Sequence, residues 1–150
     1  MVQQKIKASM EQLVGKTLQK FNLACEMMMF NFEGVCIHAQ CFTRILYKND
    51  ILLTTLDYQN WDGVTDTNND EWYNLELHKD KIINNKIEKI EFTPTNDLLI
   101  WLENDIRIQM FISNGTPHYG EDNEQWRFFI YDDEQQPHTV IYSQTIESHS

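Results

Sequence analysis

The cleanest pattern along the chain lies between Leu98 and Ser113, where apolar side chains recur at every second position. Leu98, Ile100 and Leu102 alternate with Leu99, Trp101 and Glu103. Ile106, Ile108, Met110 and Ile112 alternate with Arg107, Gln109, Phe111 and Ser113. A period of two puts alternate residues on one face of a strand. Pro94-Thr95-Asn96-Asp97 and Asn104-Asp105 supply turn chemistry between the runs, and Asn114-Gly115 closes the last one. The spacing predicts strands over Ile87–Thr93, Leu98–Glu103 and Ile106–Ser113, joined as a meander.

The first half carries the same signal less cleanly. Leu18, Phe21 and Leu23 lead into an apolar run over Cys25–Phe32. Glu33-Gly34 then turns the chain, and Val35–Tyr47 reads as one long strand. Its odd positions are the more apolar and are expected to face inward. Lys48-Asn49-Asp50 turns again, and Ile51–Tyr58 returns. Late in the chain, Trp126–Tyr131 and Thr139–Tyr142 are rich in aromatic and β-branched residues. One antiparallel sheet is expected to hold Val35–Tyr47, Ile51–Tyr58, Leu98–Glu103, Ile106–Ser113 and Trp126–Tyr131.

Helical signals are few. Residues 1–9 are polar and read as a flexible N-terminal extension to a single domain over 10–150. Ser9 offers an N-cap for a short helix with Glu11 in its first turn and Gly15 at its end. Residues 59–71 are rich in Asn, Asp, Thr and Gly and read as a loop. Residues 72–85 fit neither period, with a helical turn expected near Lys79–Asn84. The fold class is α+β, mainly antiparallel β: a meander sheet, a short N-terminal helix and few other helical turns.

Length and composition narrow this further. A chain of 150 residues can bury a core without metals or disulfides. The formal charge of −11 speaks against nucleic acid and anionic membrane surfaces as partners and favours a basic protein. Acids concentrate over 50–80 and 121–134. Three cysteines, with no secretory or membrane-length apolar run, suggest a reduced cytoplasmic protein; the Asn, Ile and Lys usage suits a bacterium.

Candidate chemistry is sparse. Cys36 and His38 share a strand face and could reach one metal, but no second pair is spaced to complete a structural zinc. Asp66-x-Asn68-x-Asp70 resembles the start of a calcium loop, yet Glu71 and Leu77 stand where an EF-hand needs Gly and Glu. No metal and no cofactor are expected. Neither a nucleophile elbow nor a phosphate loop occurs, and no catalytic residue is assigned.

Arg127 beside Trp126 is the best-defined polar feature. If Trp126, Phe128 and Ile130 face the core, then Arg127, Phe129 and Tyr131 face outward. Arg127 then meets either a ligand carboxylate or, as the simpler expectation, a neighbouring acid in an internal salt bridge.

Two passages carry a resemblance. His38-Ala39-Gln40-Cys41-Phe42-Thr43-Arg44-Ile45 and Glu124-Gln125-Trp126-Arg127-Phe128-Phe129 resemble a family of small bacterial cytosolic proteins. That family has an H-x-Q-C-x-x-R-I strand and a late E-x-W-R-F strand, and the order of elements is similar from about Met10 to Tyr142. Many members carry Pro-Trp where this chain has Phe42-Thr43. The resemblance implies a bacterial cytosolic domain and no reaction.

Three functions follow. The first is a non-catalytic acidic module, immunity-like, that masks a basic protein. Its binding residues would be His38, Arg44, Trp126, Arg127, Tyr131, Asp132 and Asp133, with Trp61, Trp72 or Tyr131 as anchors. The second is a small-ligand site or enzyme around Cys36, His38, Gln40 and Arg44. The third is a structural protein that forms a homo-oligomer through exposed aromatics.

Overall fold

The computed structural model describes residues 2–60, 71–115, 123–133 and 135–149, and for residues 58–60 and 71–72 the backbone alone. The fold is α+β and mainly antiparallel β. Helix α1 spans Val2–Glu11. Strands β1 (Leu18–Ala24), β2 (Met27–Phe32) and β3 (Val35–Ala39) follow, then β4 (Phe42–Tyr47) and β5 (Asp50–Thr54). A 3₁₀ turn over Thr55–Asn60 and helix α2 (Glu71–Ile82) precede β6 (Ile87–Phe92), β7 (Leu98–Leu102) and β8 (Ile106–Phe111). The chain finishes with β9 (Trp126–Ile130), β10 (His138–Ile141) and β11 (Ile146–His149).

The strands form two sheets, where one was expected. The six-stranded sheet runs β1-β2-β3-β9-β10-β11, and the five-stranded sheet runs β5-β4-β8-β7-β6. The expected long strand Val35–Tyr47 is cut at Gln40-Cys41, where both backbone N–H groups donate to the carbonyl of Gln125 (2.8 and 2.9 Å). There the chain passes from one sheet to the other. Its inward parity persists through the crossing: Ile37, Ala39, Cys41, Thr43 and Ile45 are all buried. One core cluster therefore takes side chains from both sheets.

The meander β6–β7–β8 forms as expected, with Ile100 opposite both Ile90 and Ile108. Asn96, Asn104 and Asp105 take the left-handed φ their turns require (67°, 60° and 61°). Glu33-Gly34 turns between β2 and β3, with Gly34 at φ 97°. Another turn carries no turn signal in the sequence: Cys25 and Glu26 are both left-handed (φ 53° and 62°), so β1 and β2 form a tight hairpin. Ile51–Tyr58 is a shorter strand than expected, ending at Thr54 before the 3₁₀ turn.

Both helices differ from the reading. The first begins at Val2 rather than at Ser9, within the stretch expected to be an extension. Ile6 and Met10, one turn apart, are buried together with Leu13, and α1 packs on β6. Gly15, at φ 90°, does end the segment, and its N–H donates to Ile87 O (2.8 Å). The expected turn near Lys79–Asn84 is the end of a full helix. In α2, Leu75 and Ile82 enter the core while Leu77 stays 59% exposed. Residues 61–70, with Trp61 and the calcium-like run, lie outside the described residues, as does the Trp72 side chain. Among the described residues no helix is long and apolar enough to cross a membrane.

Candidate functional site

The register of the six-stranded sheet builds a polar cluster on its outer face. Cys36 and His38 on β3 stand opposite Phe129 and Arg127 on β9. Their neighbours in sequence, Ile37 and Ala39, pair with Phe128 and Trp126 on the core side. Phe128 lies opposite Thr139 on β10, which brings His138 beside Phe129. His138 in turn faces His149 on β11.

The rings pack closely. Phe129 stacks on His138, with centroids 4.1 Å apart and planes within 6°. His38 meets Phe129 edge-on, at 4.9 Å and 86°. Beside them Arg127 clamps Glu124 with two N–H groups: Nε donates to Oε2 at 2.7 Å, and Nη2 donates to Oε1. A third, Nη1, lies 2.9 Å from His138 Nδ1. A guanidinium has no lone pair to offer, so His138 Nδ1 accepts and carries no proton. The simpler expectation for Arg127, an internal salt bridge, is what this geometry contains.

Both histidines are held neutral. Burial lowers the pKa of His38 and of His138, the Arg127 charge lowers each further, and Glu124 pulls the other way. A histidine depressed in the folded state stays neutral there while the unfolded chain takes up a proton. Its contribution to stability is present above the ordinary value of 6.5 and is lost as pH falls below it. Urea unfolding should therefore show lower stability at pH 5.5 than at pH 7.5, with a flatter dependence in His138→Asn (~1 pH unit either side of the histidine value). A stability that rises on acidification through this window would contradict the assignment.

The two buried thiols are quiet. Burial raises the pKa of Cys36, Asp132 adds to the rise, and Lys20 opposes it. Burial pushes Cys41 up to about 12. Both remain thiols at neutral pH and are poor nucleophiles. Among the described residues no group of three or more His, Cys, Asp or Glu could hold a metal ion.

The structure divides the expected site residues. Trp126 lies fully in the core. Arg44 belongs to the other sheet, where its Nε donates to Gln109 Oε1 (2.6 Å) and its guanidinium lies over Phe111. Cys36 and His38 therefore share a face that Arg44 does not, and Gln40 sits exposed at the crossing. Ile130, expected to face the core, is 49% exposed, and Tyr131 is 56% exposed. With Asp132 and Asp133 they form the tip between β9 and β10. Tyr131 N–H donates to Gly34 O (2.7 Å), and Asp132 takes a left-handed φ of 63°.

His138 and Phe129 were the residues sequence reasoning left out of the site. Only the register across β3, β9 and β10 brings them together with His38, and His138 stands eleven positions from Arg127. Comparison with protein-family models, curated proteins and solved structures finds no match to this chain.

Proposed function

We propose that this protein is a non-catalytic acidic binding module of the bacterial cytoplasm that masks a basic protein, in the manner of an immunity protein. The supporting observation is the β9–β10 tip, where exposed Ile130 and Tyr131 stand directly before Asp132 and Asp133. Apolar anchors supply contact area, and carboxylates beside them steer a cationic partner. The formal charge of −11 extends that attraction beyond contact range. The cysteines Cys25, Cys36 and Cys41 are unbridged, which suits a reducing compartment.

Capture from a native lysate should retain a basic protein on the wild-type chain and lose it on Asp132→Lys/Asp133→Lys. With that partner in hand, Asp132→Asn/Asp133→Asn should slow association, as should added salt. Tyr131→Ala should instead speed dissociation and weaken binding by about 2 kcal/mol. An acidic partner, or an association rate indifferent to salt, rejects this function.

A further inference from the structure

The outer face of the five-stranded sheet has a chemistry opposite to that of the chain as a whole. Acids outnumber bases 23 to 12 in the sequence, yet this face gathers cations over aromatic rings. Cross-strand pairing sets Lys89 beside Trp101 and Trp101 beside Arg107. Lys89 Nζ lies 4.7 Å from the centre of the Trp101 ring. One row further along, Arg44 pairs with Gln109 and reaches over Phe111, 5.6 Å from its centre. Phe111 stacks against Phe42 on the neighbouring strand, at 6.4 Å and 20°.

The two arginines are held in place. Arg44 is fixed by its bond to Gln109, and Arg107 Nη2 donates to Lys48 O (2.7 Å). Glu91 is the single acid in the rows that carry Lys89, Arg107 and Arg44, although Glu88 and Asp105 border the Lys48 edge. Trp101, Phe111 and Phe42 remain half-exposed. A half-exposed aromatic floor under fixed cations suits an occupant that brings carboxylates together with apolar side chains.

We propose that this face docks the β9–β10 tip of a second copy of the chain. The tip offers the matching groups, Asp132 and Asp133 for the cations and Tyr131 and Ile130 for the aromatic floor. This rests on the tip being a binding surface, as argued above. The tip ends a strand of one sheet and the face belongs to the other, so the contact is heterologous, with one tip and one face per copy. Net repulsion between copies is screened beyond about 8 Å at physiological salt, while contacting charge pairs are screened less and weaken only as salt is added further. A nucleic-acid strand would also meet cations and aromatic rings here, but it carries a charge at every nucleotide, whereas the tip brings two carboxylates beside two apolar side chains and so meets less repulsion at close range. Self-docking covers the tip, so a basic partner and a second copy compete for it.

Light scattering behind size exclusion, over a concentration series, tests this. The wild-type mass should rise with concentration, and the rise should shrink with salt. Asp132→Asn/Asp133→Asn and Lys89→Gln/Arg107→Gln should each weaken association about tenfold or more. An equimolar mixture of the two variants retains one good tip and one good face. It should form a dimer and stop there, whereas the wild type continues to larger species. A chain carrying Asp132→Lys, Asp133→Lys, Lys89→Glu and Arg107→Glu together should regain association, which guards against a variant that merely misfolds.

A wild-type chain that stays monomeric, or a mixture that does, overturns the proposal. So does a single-stranded oligonucleotide that binds the wild type without self-association and is lost on Lys89→Gln/Arg107→Gln. The two readings fail separately. If Lys89→Gln/Arg107→Gln still captures the basic partner while nothing self-associates, only self-docking is wrong. If Asp132→Asn/Asp133→Asn captures that partner undiminished, the tip itself is not the binding surface.

Discussion

Trp126→Ala should destabilise the protein by about 3–5 kcal/mol, the range for removing a fully buried tryptophan. The side chain is 0% exposed, and two costs combine there. The lost indole leaves a cavity among Phe92, which it meets at 6.0 Å, and Phe128, at 6.1 Å. It also strips a hydrogen bond from the Asn96 carbonyl, to which Nε1 donates at 2.9 Å. Asn96 occupies the turn between β6 and β7, so this bond ties the six-stranded sheet to the five-stranded one. The same residue donates from Nδ2 to Tyr142 O (3.1 Å) and accepts from Gln3 Nε2 (2.8 Å). Trp126→Phe keeps most of the apolar contact and loses the bond, so it should cost less, about 1–3 kcal/mol. Urea unfolding measures both. A loss under about 1 kcal/mol for the alanine variant would mean that this contact does not join the sheets.

Arg127→Met should be nearly as damaging, by about 3–5 kcal/mol, because it abandons a buried carboxylate. The Glu124 side chain is 3% exposed, and its two oxygens rely on the guanidinium fork. Arg127→Lys should rescue little, since an ammonium cannot bond both oxygens and reach His138 at once. The informative variant is the double one. Arg127→Met with Glu124→Met removes both charges and should recover most of the loss. If the double variant is as unstable as Arg127→Met alone, an unpaired Glu124 is not the cause.

Sequence reveals strands here where local rules act alone. In β7 and β8 burial alternates strictly, and the turns of the β6–β7–β8 meander carry residues that tolerate a left-handed backbone. The crossing at Gln40-Cys41 obeys no such rule. The inward parity runs through it unbroken, so the chain reads as one strand. What divides it is the carbonyl of Gln125, a partner far along the sequence. The Cys25-Glu26 turn uses two residues with no special turn preference, so it leaves no mark. In α2 the exposed Leu77 blurs the spacing of Leu75 and Ile82.

The candidate site was half legible. The pairing of Arg127 with a local acid follows from their closeness in sequence. The packing of Phe129 between His38, edge-on, and His138, stacked, depends on which residue faces which across three strands, and no pattern within one strand contains that. Arg44 was grouped with His38 for the same reason. They are close in sequence and share parity, yet the crossing sends them to different sheets.

The division of the chain between its sheets bears on how it is made. All five strands of the second sheet, β4 to β8, lie in one continuous stretch, so a ribosome can release that sheet whole. The first sheet cannot assemble in this order. Its strands β1 to β3 emerge early, and β3 must wait for β9 until the entire second sheet has been synthesised. During that delay β3 exposes a row of unpaired backbone groups bordered by Ile37 and Val35, a template for pairing between nascent chains. Closing the first sheet is a long-range contact, whose loop-closure entropy must be met before the pairing rewards it. A chaperone that shields β3 until β9 arrives should therefore raise the yield of native protein.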